Sequence, residues 1–186
     1  VVFRARQISL KRIVALKVVL SGQFASEAER RRFLSEVEFA ATLDHPNIVP
    51  IYETGEHEGR HFFSMKFVKG GSLAEQIAND ESRMTNGQPG APRIPFDIRH
   101  SAFVISKVAR AVHYAHQRGV VHRDIKPSNI LYDAASDSVK VTDFGIARIT
   151  DNSRTKTGLV LGTPSFMAPE QIAGHKADGR CDLYAL

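Results

Sequence analysis

The sequence predicts an α+β chain in two lobes, a strand-rich first part with one helix and a mainly helical second part whose loops are dense in polar residues. Three observations carry this reading. Residues 13–20 alternate about one lysine at the strand period, a stretch opened by Ser26 and Glu29 keeps the helical period to Leu43, and residues 97–119 keep it again before the pattern breaks into short strands and loops.

Each element has a local cause. In 13–20, β-branched and aliphatic residues place Lys17 on one face with Ala15 and Val19, while Val14, Leu16 and Val18 take the other, so a single cation projects from one side of a strand. Ser26 and Glu29 have the spacing of a capping box, and Asp44-His45-Pro46 stops the helix they open. Phe33, Val37, Ala40 and Ala41 form its apolar stripe, and Glu36 falls inside that stripe. A carboxylate there needs a cationic partner or a path to solvent at the rim. Residues 48–53 and 61–67 read as a hairpin around Glu56-His57-Glu58-Gly59, and Lys69-Gly70-Gly71-Ser72 reads as a hinge between lobes ahead of a short helix. Residues 79–95, rich in Asn, Gly and Pro, read as a long surface loop. A helix capped at Asp97 and stopped at Gly119 is expected to bury Ile98, Ala102, Ile105, Ala109 and Val112, and strands at 130–132 and 139–142 flank a turn at 134–137.

Composition narrows the function classes. With 186 residues, 42% hydrophobic and 24% charged, the chain has core enough for one or two small lobes and no more. No apolar run reaches the roughly 18 residues of a membrane span, and no signal-peptide order opens the chain. The single cysteine, Cys181, allows no internal disulfide and lacks zinc-ligand spacing; a packed thiol in a reducing, cytoplasmic setting is expected. The formal charge of +5 is scattered, and its one dense run, Arg30-Arg31-Arg32, reads as a solvated helix face, so no nucleic-acid partner is expected. The chain opens at Val1 without Met and stops at Leu186 among apolar residues, so a fragment is expected.

Four motifs carry chemistry. His122-Arg123-Asp124-Ile125-Lys126-Pro127-Ser128-Asn129 reads H-R-D-x-K-x-x-N, Asp143-Phe144-Gly145 follows it, Val14-Ala15-Leu16-Lys17 precedes it, and Ala168-Pro169-Glu170 closes the series. Singly such triplets arise by chance; in this order and spacing they resemble the catalytic domain of serine/threonine protein kinases, most closely the bacterial Hanks type. The resemblance implies a two-lobed protein kinase-like fold, with an N-lobe at 1–68 and, from 69 to 186, the start of a C-lobe through the activation segment. It implies ATP and Mg2+ as cofactors and Ser/Thr hydroxyls of a protein as substrate. Of the family's phosphate-covering G-x-G-x-x-G-x-V loop only Val1-Val2 is matched, so the glycines are expected upstream of residue 1.

Transferring a γ-phosphoryl group is chiefly a matter of positioning and charge, so few residues suffice if each is well placed. By resemblance Asp124 accepts or orients the substrate hydroxyl proton, and Lys126 contacts the transferring phosphate and marks the serine/threonine class. Asn129 and Asp143 occupy the magnesium-binding positions, and Lys17 that of the α/β-phosphate lysine, with Glu36 as its ion-pair partner. Adenine is expected between Val2 and Ala15 above and Leu131 below, against the hinge Met65-Lys66-Phe67-Val68, with Met65 as gatekeeper. Lys66 departs from the acidic residue common there, which leaves recognition to backbone groups. Residues 143–170 correspond to the activation segment, Arg123 and Arg148 to a shared phosphate site, Thr155 and Thr157 to autophosphorylated threonines, and Thr163 to the threonine that bonds Asp124 and Lys126. Asp182 matches a buried aspartate that braces the catalytic loop. Two readings stay open at this point: an active kinase, and a pseudokinase that keeps the fold as a nucleotide-binding or scaffold module.

Overall fold

The structure, a computed structural model, describes residues 1–19, 27–85, 98–144 and 164–186. The predicted caps Ser26 and Asp97, and Arg148, Thr155, Thr157 and Thr163, lie outside the described residues. The elements are β1 (Val2–Gln7), β2 (Arg12–Val18), α1 (Glu27–Ala41), β3 (Ile51–His57), β4 (Arg60–Lys66), α2 (Leu73–Thr85), α3 (Ile98–His116), β5 (Ile130–Asp133), β6 (Ser138–Val141), α4 (Pro169–Ile172) and α5 (Arg180–Tyr184). The first four strands form an antiparallel sheet in the order β1-β2-β4-β3, and β5 and β6 form a separate hairpin.

Two cores follow from the two patterns of hydrophobicity. The Ala15/Val19 face of β2 packs with Phe63 and Met65 of β4 against Phe33 and Val37 of α1. The second core sets Val104, Val108, Ala111, Val112 and Ala115 of α3 against Ile130, Tyr132, Val139 and Val141 of the β5-β6 hairpin. Together they make the two-lobed kinase-like arrangement expected from the motifs. Residues 45–50 join the lobes: Val49 N donates to Val141 O (2.9 Å), Val141 N to Asn47 O (2.8 Å) and Asn47 Nδ2 to Val139 O (2.9 Å). Buried Lys140 donates its ammonium to Pro46 O at 2.6 Å, and burial lowers its pKa.

Several expectations are corrected. The alternation of Arg4 and Arg6 hid β1, which pairs along its whole length with β2. The third strand begins at Ile51 rather than residue 48, because Asn47 O and Val49 N, on either side of Ile48, bond to Val141 of β6 instead. Helix α2 runs to Thr85, so 79–85 of the predicted loop are helical. On α3 Val112 is buried as expected, but the rest of the buried face is the neighbouring one: Ile105 is 47% exposed while Val104 and Val108 meet the hairpin. Helix α1 stops at Ala41, which is exposed at its end while Phe33, Val37 and Ala40 are buried as expected. Arg30 and Arg31 of the basic run lie against Glu27 at 2.6 and 3.7 Å, a solvated face.

The glycine pair is fastened to the second lobe. Gly71 takes φ +77, Tyr132 N donates to its carbonyl, and Gln76 Nε2 donates to both Gly70 O and Tyr132 O at 2.6 Å. A Cβ on Gly70 would overlap the Tyr132 carbonyl. Gly70→Ala is therefore expected to destabilise the fold by about 3 kcal/mol, because backbone rather than a side-chain tip must move; urea titration checks it, and a loss below about 1 kcal/mol contradicts the close approach.

His45, in the joining segment, stacks its ring 5.0 Å from that of Tyr114 and accepts from Asn47 N at 3.1 Å. Burial, then Lys140 and Arg118, hold its pKa below the ordinary 6.5. A depressed folded-state pKa means stability present above that ordinary value and lost as pH falls below it. The urea midpoint should thus decline from about pH 7.5 to about pH 5.5, with a shallower slope in His45→Asn, which keeps an acceptor and loses the titration; identical slopes would exclude His45 as a contributor.

Candidate functional site

The loop after α3 owes its shape to one buried acid. Asp182, the third residue of α5, accepts from His122 N (2.8 Å, Oδ2) and Arg123 N (2.6 Å, Oδ1), and its Oδ2 also lies 2.8 Å from His116 Nε2. Arg123 needs such support, since its φ of +68 lies in the left-handed region that non-glycine residues seldom occupy. The bracing role expected for Asp182 is thus present. Neighbouring Cys181 is the packed thiol expected, with burial pushing its pKa up to about 12.

His122 joins this loop to the end of β6. Its Nε2 lies 2.8 Å from Thr142 O, its Nδ1 accepts from Asp124 N at 3.2 Å, and its ring meets Phe144 edge-on with centroids 4.7 Å apart. Full burial holds the imidazole pKa down, so the ring is neutral with its proton on Nε2.

Around Asp124 the expected residues converge. Asn129, closing the 3-10 turn Pro127–Asn129, gives both Nδ2 hydrogens to Asp124, one to its carbonyl and one to Oδ2, each at 2.8 Å. Lys126 Nζ lies 2.7 Å from the same Oδ2. Among the described residues, the side-chain contacts of Asp124 fall on Oδ2. Thr142 N donates to Asn129 O (3.0 Å), tying Asn129 to the residue before Asp143.

Asp143 has φ +64, and its Oδ1 lies 2.7 Å from Lys17 Nζ. Among the described residues the ion pair of Lys17 is thus with Asp143, where the resemblance implied Glu36. Lys17 reaches across the lobe junction to a carboxylate that the strained turn presents to it. Glu36, half-buried on α1, instead borders Phe39, Arg118, Gly119, Val120, Val121 and Arg123 around a cavity of about 210 Å³.

Of the expected adenine contacts, Ala15, Met65, Val68 and Leu131 share one apolar cluster drawn from both lobes. Met65 stands over the Thr142 hydroxyl (Sδ to Oγ1 3.6 Å), and the space behind it is a cavity of only about 10 Å³. Lys66 is exposed while its N–H is taken by Pro50 O at 3.0 Å. Val2 lies apart, 54% exposed, opposite Lys17 across the β1-β2 ladder.

Sequence reasoning missed His116, Lys140 and Gln171. Gln171 Nε2 donates to Arg123 O at 2.8 Å, and its Oε1 accepts from Ala168 N at 3.1 Å. No local pattern marks these three, because each has a partner distant in sequence: the Asp182 carboxylate for His116, the Pro46 carbonyl for Lys140 and the Arg123 carbonyl for Gln171.

Asn129 and Asp143 fit a hard divalent cation: an amide oxygen and a carboxylate, with the Asn129 amide nitrogen turned away toward Asp124. Among the described residues no group of three or more His, Cys, Asp or Glu is placed to hold a metal by itself, so two protein oxygens would share the ion with oxygens of an anionic ligand.

Comparison with known proteins places these features in context. The family model of the protein kinase domain matches residues 1–186. The serine/threonine-protein kinase PknJ of Mycobacterium tuberculosis is 42% identical over 190 residues, covering all of this chain and 30% of PknJ. The serine/threonine-protein kinase PrkC of Bacillus subtilis is 39% identical over 187 residues, covering all of this chain and 26% of PrkC. The crystal structure of the Mycobacterium tuberculosis PknI kinase domain superposes with a TM-score of 0.69 at 31% identity, over 99% of this chain and 64% of that one. The chain spans less than a third of the length of these two curated relatives.

Asp182→Asn, which exchanges a carboxylate oxygen for a nitrogen that cannot accept, is expected to cost about 2 kcal/mol and to expose the His122 and Arg123 amides to hydrogen exchange. Unchanged protection at both amides would contradict the bracing described above.

Proposed function

This chain belongs to the protein kinase domain family, and on that footing we propose that the protein it comes from transfers the γ-phosphoryl group of ATP to serine or threonine hydroxyls of a protein substrate. The observation that carries the reading is the convergence on Asp124 of Lys126 (2.7 Å) and Asn129 (2.8 Å), joined through Thr142 to the Lys17–Asp143 pair (2.7 Å). A nucleotide-binding module without turnover has no need of an aspartate whose carboxylate is oriented by a lysine and an asparagine. The site draws on two segments, an N-lobe at 1–68 and the part of a C-lobe at 69–186.

ATP with Mg2+ supplies the transferable phosphoryl group and the charge that neutralises it. Asn129 and Asp143 hold the cation, while Ala15, Met65, Val68 and Leu131, with Val2, enclose the base and the backbone of Lys66 and Val68 supplies hydrogen bonds. With both bound, Lys17 would face the nucleotide phosphates and Asp143 the cation in place of each other. Glu36 is then the second anionic partner for Lys17, reached by rotation of α1 toward β2. Asp124 takes the proton of the attacking hydroxyl through Oδ1, and Lys126 stays beside the transferring phosphate. Arg123 and Arg148 are assigned to a phosphate on Thr155 or Thr157, and Thr163 to positioning the substrate segment, on the strength of the motifs. No described helix is long and apolar enough to cross a membrane, and the ATP requirement together with a reduced, buried Cys181 supports a cytoplasmic site of action.

In the full-length protein, Asp124→Asn is expected to lower kcat by a factor of about 10² to 10⁴ on a serine-containing peptide while ATP affinity holds within about threefold, because a proton acceptor is lost and the nucleotide site is kept. Near-normal turnover removes Asp124 from the mechanism; wild-type ATP binding without any phosphotransfer would favour the scaffold reading instead.

A further inference from the structure

Arg123 is a non-glycine residue with φ +68, immediately before the proposed proton acceptor. Such a conformation costs on the order of 1 kcal/mol or more and persists only where neighbours over-determine it. Its amide is held by Asp182 at 2.6 Å. Its carbonyl is held by Gln171 Nε2 at 2.8 Å. That carbonyl belongs to the same peptide plane as the Asp124 N–H, which donates to His122 Nδ1 at 3.2 Å. The plane from which Asp124 springs is therefore fixed at both edges, by His122 on one side and Gln171 on the other.

The identity of residue 171 is informative. Ala168 is the N-cap of α4 and has no oxygen to cap with, so Gln171, three positions on, supplies the reach-back half of a capping box by accepting from Ala168 N at 3.1 Å. Glutamate would serve that bond equally well. It would also set a carboxylate against the Arg123 carbonyl, acceptor to acceptor, whereas the glutamine amide has a donor for that place. The choice of amide over acid is thus explained by the bond to Arg123 and not by the helix cap.

We propose that Gln171 is a positioning residue for phosphoryl transfer: its amide clamps the Arg123–Asp124 peptide, and so registers the Ala168-Pro169-Glu170 anchor against the carboxylate that receives the hydroxyl proton. The inference rests on the kinase reading for its effect on catalysis, and on geometry alone for its effect on the loop.

The test uses the full-length protein as wild type, Gln171→Ala and Gln171→Glu, with ATP, Mg2+ and a serine-containing peptide. Both variants are expected to lose about tenfold in kcat near neutral pH, with KM for ATP within about twofold, since the nucleotide contacts lie elsewhere. In Gln171→Glu, which keeps the helix cap and so guards against simple misfolding, the deficit relative to wild type should shrink from about pH 8 to about pH 6, as a carboxyl facing a carbonyl protonates and regains a donor. The Gln171→Ala deficit should stay constant over that range. Hydrogen exchange at the Asp124 amide gives a readout independent of turnover, and protection should fall in both variants. Wild-type kcat in both variants, or unchanged protection at Asp124, overturns the proposal. A wild-type protein that transfers no phosphate overturns the kinase reading instead, and the exchange measurement then decides the clamp by itself.

Discussion

The catalytic loop depends on one buried carboxylate. Backbone N–H groups at His122 and Arg123 point inward at a place where the chain is neither helix nor strand, and without an acceptor each would stand as an unmet donor in the core. Asp182 meets both and His116 as well. A charged acceptor forms stronger bonds than a carbonyl, which suits a loop that must hold a left-handed residue. Everything nearer the reactive atoms is built outward from this: His122 is fixed at its amide and can use its ring to hold Thr142 and Asp124, and Asn129 and Lys126 then share a carboxylate that no longer wanders.

The same logic of side chains holding backbone recurs at the junction of the lobes. Asn47, Lys140 and Gln76 each bond to main-chain carbonyls rather than to one another. Such bonds are insensitive to the identity of the residue they hold. They also allow a site assembled from β2, the catalytic loop and the end of β6 to keep its dimensions although its parts are far apart in sequence.

Legibility in the sequence followed the range of the interactions. The strand about Lys17, the stripe of Phe33, Val37 and Ala40, and the residues around Asp124 were readable because period and motif are local properties, and Asp182 was readable by resemblance. The buried face of α3 was not, since Ile98/Ala102/Ile105 and Val104/Val108/Ala111 are both plausible stripes and only the β5-β6 hairpin chooses between them. Strand β1 was missed because Arg4 and Arg6 occupy an exposed face, where polar residues carry no pattern. The pairing of Lys17 with Asp143 was not readable for a related reason: the two residues lie 126 positions apart and meet only where β2 and the end of β6 come together, which no spacing encodes.

That ion pair has a thermodynamic consequence. Lys17 and Asp143 neutralise each other at 2.7 Å, so an anion binding to Lys17 alone leaves Asp143 uncompensated, and a cation binding to Asp143 alone leaves Lys17 uncompensated. Nucleotide and metal arriving together break the pair once between them. For a site that takes both, as proposed, their affinities would be linked with positive sign, and by reciprocity each would raise the other's by the same factor. On the proposed reading the pair would act as a coincidence detector, favouring the two species jointly over either alone.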